Sequence, residues 1–157
     1  MHQTPYVHRM FRDVFTGIDT RQKKAIPINE LHTLLNEDPQ SDKLRRTQAI
    51  ANLLFLFCGM PFVDLAYLEK SNLEGNMLKY NRAKTGIPMN VEILDSAATI
   101  ISQLRNKHTT VLPEHPDYLF YILSGKNKRS DEAGYKEYQS ALRCFNNDLK
   151  SLARKLC

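Results

Sequence analysis

The sequence contains no tryptophan and only three cysteines in 157 residues. Cys58, Cys144 and Cys157 are widely spaced and form no CxxC pair. An odd number of cysteines at such spacings is not the disulfide framework of a small secreted domain, and it does not indicate a zinc knuckle. We therefore expect no bound metal and a reducing, cytoplasmic location.

Long hydrophobic runs are also absent. The N-terminus has no apolar run after a basic start, and the most hydrophobic stretch, residues 49–63, is too short to span a bilayer. Neither export nor membrane insertion is predicted. The net charge of +5 and the pI near 9.1 favour a polyanionic partner, but the excess is modest and leaves nucleic acid binding open.

The length and the 42% content of hydrophobic residues fit one compact domain. Residues 1–26 have no sustained period and contain the basic cluster "DTRQKKAI". This composition predicts a linker over 1–26 that leads into a domain over 27–157.

Helical periodicity covers most of that domain. A first helix of about two turns follows Pro27, a second and central helix is expected over 42–57, and Pro61 starts a short third helix. A fourth helix begins at Asp95 as the N-cap. The last helix carries an apolar stripe, which we expect to lie open in this chain because it continues almost to the last residue. Its members are Tyr138, Leu142, Phe145, Leu149, Leu152 and Leu156.

The period changes to two in the middle of the chain. Residues 87–93 alternate apolar and polar side chains, as a half-buried strand does, and residues 78–82 alternate before them. Residues 73–75 supply a preceding edge and turn. The predicted fold is therefore α+β and mostly α, with helices packed around a small three-stranded antiparallel sheet.

The stretch "YNRAKTGIPMNVEI" reads as a hairpin with two cations near its tip. Alternation places Arg82 and Lys84 on one strand face, and Gly86 can adopt positive φ in the turn. Such a tip can contact a phosphate, or its ammonium can donate a proton to a departing alkoxide. The alternative is an ordinary solvated lysine in an exposed turn.

The segment "RRTQAIANLLFLFCGMPFVDLAYLEKSNLEGNMLKYNRAKTGIPMNVEIL" resembles the first part of the catalytic domain of tyrosine recombinases, the phage-integrase family, as carried on mobile elements. The shared order is a buried helix, a glycine turn, a short helix with an acidic residue near its start, and a three-stranded sheet with a "KTG" hairpin. The linker "DTRQKKAI" also agrees, since in this family it crosses DNA between two arms of a clamp. The N-terminal core-binding arm of the family has no counterpart here.

The resemblance implies site-specific recombination of double-stranded DNA through a phosphotyrosine intermediate, without metal or cofactor. It also implies self-association as a tetramer on DNA. Lys84 matches the hairpin lysine that protonates the leaving oxygen, and Asp64 matches the acidic residue that supports the site. An acid in a first helical turn is also favoured by the helix dipole alone. The expected DNA-backbone contacts are Arg21, Lys23, Lys24 and Arg82.

One departure concerns the first catalytic arginine of the family. Pro61 occupies the position where that arginine usually stands. Arg82, Arg45 and Arg46 are candidate replacements, and for each of them an ordinary solvated arginine is the alternative.

A second departure concerns the block of histidine, two residues and arginine, which is absent from this chain. None of the five histidines is followed three residues later by an arginine; they are His2, His8, His32, His108 and His115. The nucleophilic tyrosine of the family lies beyond that block, so Tyr135 and Tyr138 are interpreted as helix and core residues. We expect this chain to be the N-terminal part of the catalytic domain, inactive by itself, whereas the intact protein is an enzyme.

Two competing hypotheses remain at this stage. The chain is alternatively a non-catalytic DNA-binding accessory protein of a mobile element, or a structural domain with incidental basic charge. The recombinase and accessory hypotheses both predict DNA affinity that falls with rising salt, because phosphate contacts release counterions. The structural hypothesis predicts no such binding.

Overall fold

The computed structural model describes residues 26–105, 118–124, 126–127 and 129–156. This part of the chain is mostly helical and includes one three-stranded antiparallel sheet, as predicted. The elements, in order, are α1 (Ile28–Asn36), α2 (Asp42–Leu56), α3 (Phe62–Ala66), β1 (Leu73–Glu74), β2 (Met77–Asn81), β3 (Pro88–Glu92), α4 (Asp95–Arg105) and α5 (Glu132–Leu156). None of the described helices is both long and apolar enough to cross a membrane.

Helix α2 lies at the centre and packs against α1, α4 and α5, as its sequence predicts. Leu53 within it and Phe57 at its C-cap are almost completely buried in the main core. Phe55, however, is 57% exposed. Residues two apart on a helix point to nearly opposite sides, so Phe55 points away from the core that buries Leu53.

The apolar stripe of α5 is partly covered, which corrects the expectation of an open stripe for Leu152 and leaves Tyr138, Leu142, Phe145 and Leu149 half-buried. The ring of Phe145 stacks on Phe62 of α3 with centroids 4.7 Å apart. Leu152 is fully buried in a cluster with Leu34 of α1 and Leu44 of α2. Periodicity in the sequence reveals that such a stripe exists. It does not reveal which helices pack against the stripe, because these lie about a hundred residues earlier in the chain.

The two tyrosines of α5 differ in their burial. Tyr138 is half-buried, with its ring 6.0 Å from that of Tyr67 and 6.2 Å from that of Phe62. Tyr135 is helical but 59% exposed, so its interpretation as a core residue was wrong.

In the sheet, β2 pairs with β1 on one side and β3 on the other, both antiparallel. Leu78 lies opposite Val91 and Tyr80 opposite Met89. Leu78, Tyr80 and Val91 are buried and Met89 is partly buried. The residues between them on both strands are exposed, which confirms the predicted alternation. Ile87 is 55% exposed because β3 begins one residue later.

Residues 118–124 form a buried segment without regular structure, although their sequence favours a strand or a helical turn. Tyr118 pairs with Glu69 through an isolated antiparallel bridge. The N–H of Leu119 donates to the carbonyl of Leu68 at 2.8 Å, and Phe120 is almost completely buried. The segment therefore completes the core beside the residues that follow α3.

Candidate functional site

The hairpin turn that joins β2 and β3 carries Arg82 and Lys84. The N–H of Arg82 donates to the carbonyl of Ile87 at 2.9 Å, and the N–H of Gly86 donates to the carbonyl of Arg82 at 2.7 Å. Gly86 has φ of +68°, in the left-handed region that favours glycine, as predicted. Because β2 ends at Asn81, strand alternation does not determine the direction of the two cationic side chains. The closed turn places both of them at the tip.

The two cations of the turn have no anionic partner in the described part of the chain. Lys84 is exposed and Arg82 is half-buried, and neither forms an ion pair or a side-chain hydrogen bond with a described residue. Lys79, on the same hairpin, pairs with Glu74. The tip therefore presents two positive charges to an outside group.

Asp64 joins this turn to α3. It lies in the first turn of the helix and is only 5% exposed. Its Oδ1 accepts a hydrogen bond of 2.9 Å from the N–H of Ala83, the residue between Arg82 and Lys84. Its Oδ2 is buried and accepts no hydrogen bond from the described residues. A buried carboxylate thus holds the backbone of the turn directly beside both cations.

A cavity of about 240 Å³ opens next to Asp64, between α3 and β2. Its wall combines carboxylates, amides, phenols and a guanidinium. The lining residues are Asp64, Tyr67, Leu68, Glu69, Asn72, Tyr80, Asn81 and Arg129. The guanidinium carbon of Arg129 lies 4.7 Å from the centroid of the Tyr67 ring, in cation–π geometry.

The charge of Asp64 acts on two nearby phenols. Burial raises the pKa of Tyr80, the Asp64 carboxylate raises it further, and Arg82 opposes the change. Burial also raises the pKa of Tyr138, and Asp64 again adds to the effect. Both phenols are therefore protonated at neutral pH, and the field of Asp64 extends to the hairpin and to α5.

The two arginines of α2 are engaged elsewhere. Arg45 is exposed and binds Asp38 at 3.0 Å and Asp42 at 2.7 Å. Arg46 donates from Nη2 to the carbonyl of Phe120 at 2.9 Å, and burial lowers the pKa of its guanidinium. These contacts hold the start of α2 and the segment 118–124, and they do not include the hairpin.

Other predicted residues fall outside the described part. Arg21, Lys23 and Lys24 lie there, as do all the histidines except His32, which is exposed on α1. Within the described ranges, no group of three or more histidine, cysteine, aspartate or glutamate side chains is placed to hold a metal ion.

Sequence reasoning missed the role of Arg129 in the cavity wall. The charged stretch "GKNKRSDE" reads as a solvated loop, and no local pattern distinguishes Arg129 from its basic neighbours. Its contact with Tyr67 joins residues 62 positions apart, so it arises only from the tertiary fold.

Comparison with family models, with curated proteins and with solved structures gave no match to this chain.

Proposed function

We propose that this chain is part of the catalytic domain of a tyrosine recombinase and that its hairpin turn contacts the DNA backbone. The observation that carries the proposal is the hydrogen bond from Ala83 to the buried Asp64, which holds a turn whose two cations have no ion-pair partner among the described residues. A cation with no internal partner and a fixed backbone is suited to bind a phosphate without a large loss of entropy.

The two cations have different roles in this proposal. Lys84 supplies the ammonium that protonates the leaving oxygen during phosphoryl transfer, since lysine carries a mobile proton. Arg82 binds the phosphate, because a guanidinium holds two oxygens in a planar fork and keeps its proton. Asp64 positions the turn through its backbone and does not touch the DNA.

The partner is double-stranded DNA, and the intact protein assembles on it as a tetramer in the cytoplasm without a metal or nucleotide cofactor. Its reaction is site-specific recombination for the integration of a mobile element. The chain has neither the first catalytic arginine, where Pro61 stands, nor the block of histidine, two residues and arginine. We therefore expect it to bind DNA without cutting it.

The contacts of Arg45 and Arg46 favour a second candidate, a DNA-binding accessory protein without catalysis. Two of the three candidate replacements for the missing arginine already bind other parts of the fold. Of these three arginines, Arg82 lies beside Lys84 and forms no ion pair with a described residue. A purely binding role requires no second arginine.

DNA binding can be tested by fluorescence anisotropy with a labelled duplex at several salt concentrations. Log affinity should fall linearly with log salt, and Lys84→Ala should weaken binding and reduce the slope by about one. Lys79→Ala is the matched control, because it removes the same charge from a lysine that already pairs with Glu74. An equal effect of the two variants, or binding independent of salt, would contradict the proposal.

Cleavage can be tested separately with a nicked suicide duplex, followed by denaturing electrophoresis. We expect no covalent adduct between DNA and the chain. An adduct that disappears when one tyrosine is replaced by phenylalanine would show that the nucleophile lies in this chain.

A further inference from the structure

The buried oxygen of Asp64 needs a hydrogen-bond donor. Oδ1 receives the N–H of Ala83, but Oδ2 has no partner in the described chain although the residue is only 5% exposed. A buried acceptor without a partner costs free energy, and for a charged group the cost is larger. Native structures contain few such groups, and a bound water or ion is one of the ways in which they are completed.

The cavity beside Asp64 has the composition that binds a cation. Asp64 and Glu69 contribute carboxylates, and Tyr67 and Tyr80 contribute phenol rings, to a space of about 240 Å³. One guanidinium, that of Arg129, already lies over the Tyr67 ring in this wall. Arg129 is exposed and forms no ion pair with the described residues, so it can leave the ring at little cost.

We propose that this cavity binds a guanidinium or primary ammonium group, which donates to Asp64 Oδ2 and replaces Arg129 on the face of Tyr67. Carboxylate and aromatic faces together are the usual protein environment for an organic cation. The group can come from a small polyamine-like molecule or from a basic side chain of another protein. The proposal shares Asp64 with the proposed DNA contact but needs neither Arg82 nor Lys84, so the two proposals can fail separately.

Binding can be measured by titrating the ¹⁵N-labelled chain with methylguanidinium and following its amide NMR signals. The Ala83 amide should shift in a saturable manner, since it shares the Asp64 carboxylate with the ligand. N-methylurea, which has nearly the same shape and no charge, should cause no such shift. The absence of a saturable shift, or equal shifts with both compounds, would overturn the proposal.

Asp64→Asn tests the carboxylate while keeping an oxygen for the Ala83 N–H. It should weaken binding by about tenfold or more, because a charge-assisted hydrogen bond is lost. Arg129→Gln tests the same site at an exposed position where folding is not at risk. It should tighten binding, since the resident guanidinium no longer competes. Unchanged binding in a folded Asp64→Asn variant, or weaker binding in Arg129→Gln, would count against the site.

Two further titrations distinguish the sources of the cation. Agmatine represents a free small molecule, and an acetylated, amidated Gly-Arg-Gly peptide represents a protein side chain. Tighter binding of agmatine assigns the cavity to a small ligand, and tighter binding of the peptide assigns it to a protein partner. Failure of both to shift the Ala83 amide would overturn the proposal.

Discussion

The basic residues of the hairpin turn and those of α2 are used in different ways. Arg82 and Lys84 lie at the tip of a turn and have no ion-pair partner in the described chain. Arg45 and Arg46 bind carboxylates and a main-chain carbonyl, and so stabilise the fold. Positive charge in the sequence therefore does not show which basic side chains are already engaged within the fold, whereas the contacts of the described residues do.

The largest expected effect comes from breaking the anchor at Arg46. Arg46→Met keeps the aliphatic stem but leaves the Phe120 carbonyl without its donor. We expect the free energy of unfolding to fall by about 1–3 kcal/mol, measured by urea denaturation. DNA affinity of the folded variant should change little.

Arg45→Met is the matched control, because it removes the same group from the adjacent, exposed position. Its unfolding midpoint should stay close to that of the original chain, since exposed ion pairs contribute little. If Arg45→Met destabilised the protein as much as Arg46→Met, the distinction between the two arginines would be wrong.

A smaller loss of stability is expected from a substitution in the hairpin turn. Gly86→Ala places a side chain at φ of +68° with no neighbouring atom within 4 Å, so its cost is that of the backbone alone. We expect a loss of about 1 kcal/mol in stability together with weaker DNA binding, because the turn shifts.

Gly75→Ala is the control for that change. Gly75 has φ of +61°, lies in the turn between β1 and β2, and also has open space around its added carbon. It should lower stability by a similar amount and leave DNA affinity unchanged. A loss of DNA affinity in both variants would show that the effect comes from general destabilisation.

The smallest expected effect is on the pH dependence of stability, through Glu137. This residue binds Ser124, at the C-terminal end of the segment 118–124 that Arg46 also contacts. Burial pushes the pKa of Glu137 up, but hydrogen bonds from Ser124 and Asn127 outweigh it and lower the pKa below 4.5. The resulting stability is complete above that value and is lost as the pH falls through the lowered pKa. As the pH falls from neutral through the lowered pKa of Glu137, Glu137→Gln should therefore lose less stability than the original chain. Thermal unfolding at several pH values checks this, and parallel curves would contradict it.

The sequence predicted the local elements well and their partners poorly. The helix over 42–57 and the strand alternation around Val91 follow from periods that neighbouring residues carry. Two kinds of contact join distant parts of the chain and are not revealed by any local period. One is the packing of Leu152 against α1 and α2, and the other is the contact between Arg129 and Tyr67. Segment 118–124 is equally non-local, because its backbone bonds to Leu68, to Arg46 of α2 and to Glu137 of α5.

The candidate site divides in the same way. The turn at Gly86 and the exposure of Lys84 could be predicted, because a short hairpin with a positive-φ glycine is defined by adjacent residues. The free oxygen of Asp64 could not, because hydrogen-bond satisfaction depends on every group around a buried atom. The same reason separates Arg46 from Arg45, which are neighbours in sequence and differ only in what faces them.

The hydrogen bond between Asp64 and Ala83 also bears on the order in which the chain assembles. It closes a loop of 19 residues, whereas the bond from Arg46 to Phe120 joins residues 74 apart. Closing a short loop costs less entropy and occurs sooner. The contact between α3 and the hairpin is therefore expected to form before that of Arg46 with Phe120, although Leu65 and Leu78 pack into one core with Leu53 of α2. The backbone of the turn that carries Lys84 is thus held by a residue close to it in the chain, while the core beneath the hairpin is shared with distant elements.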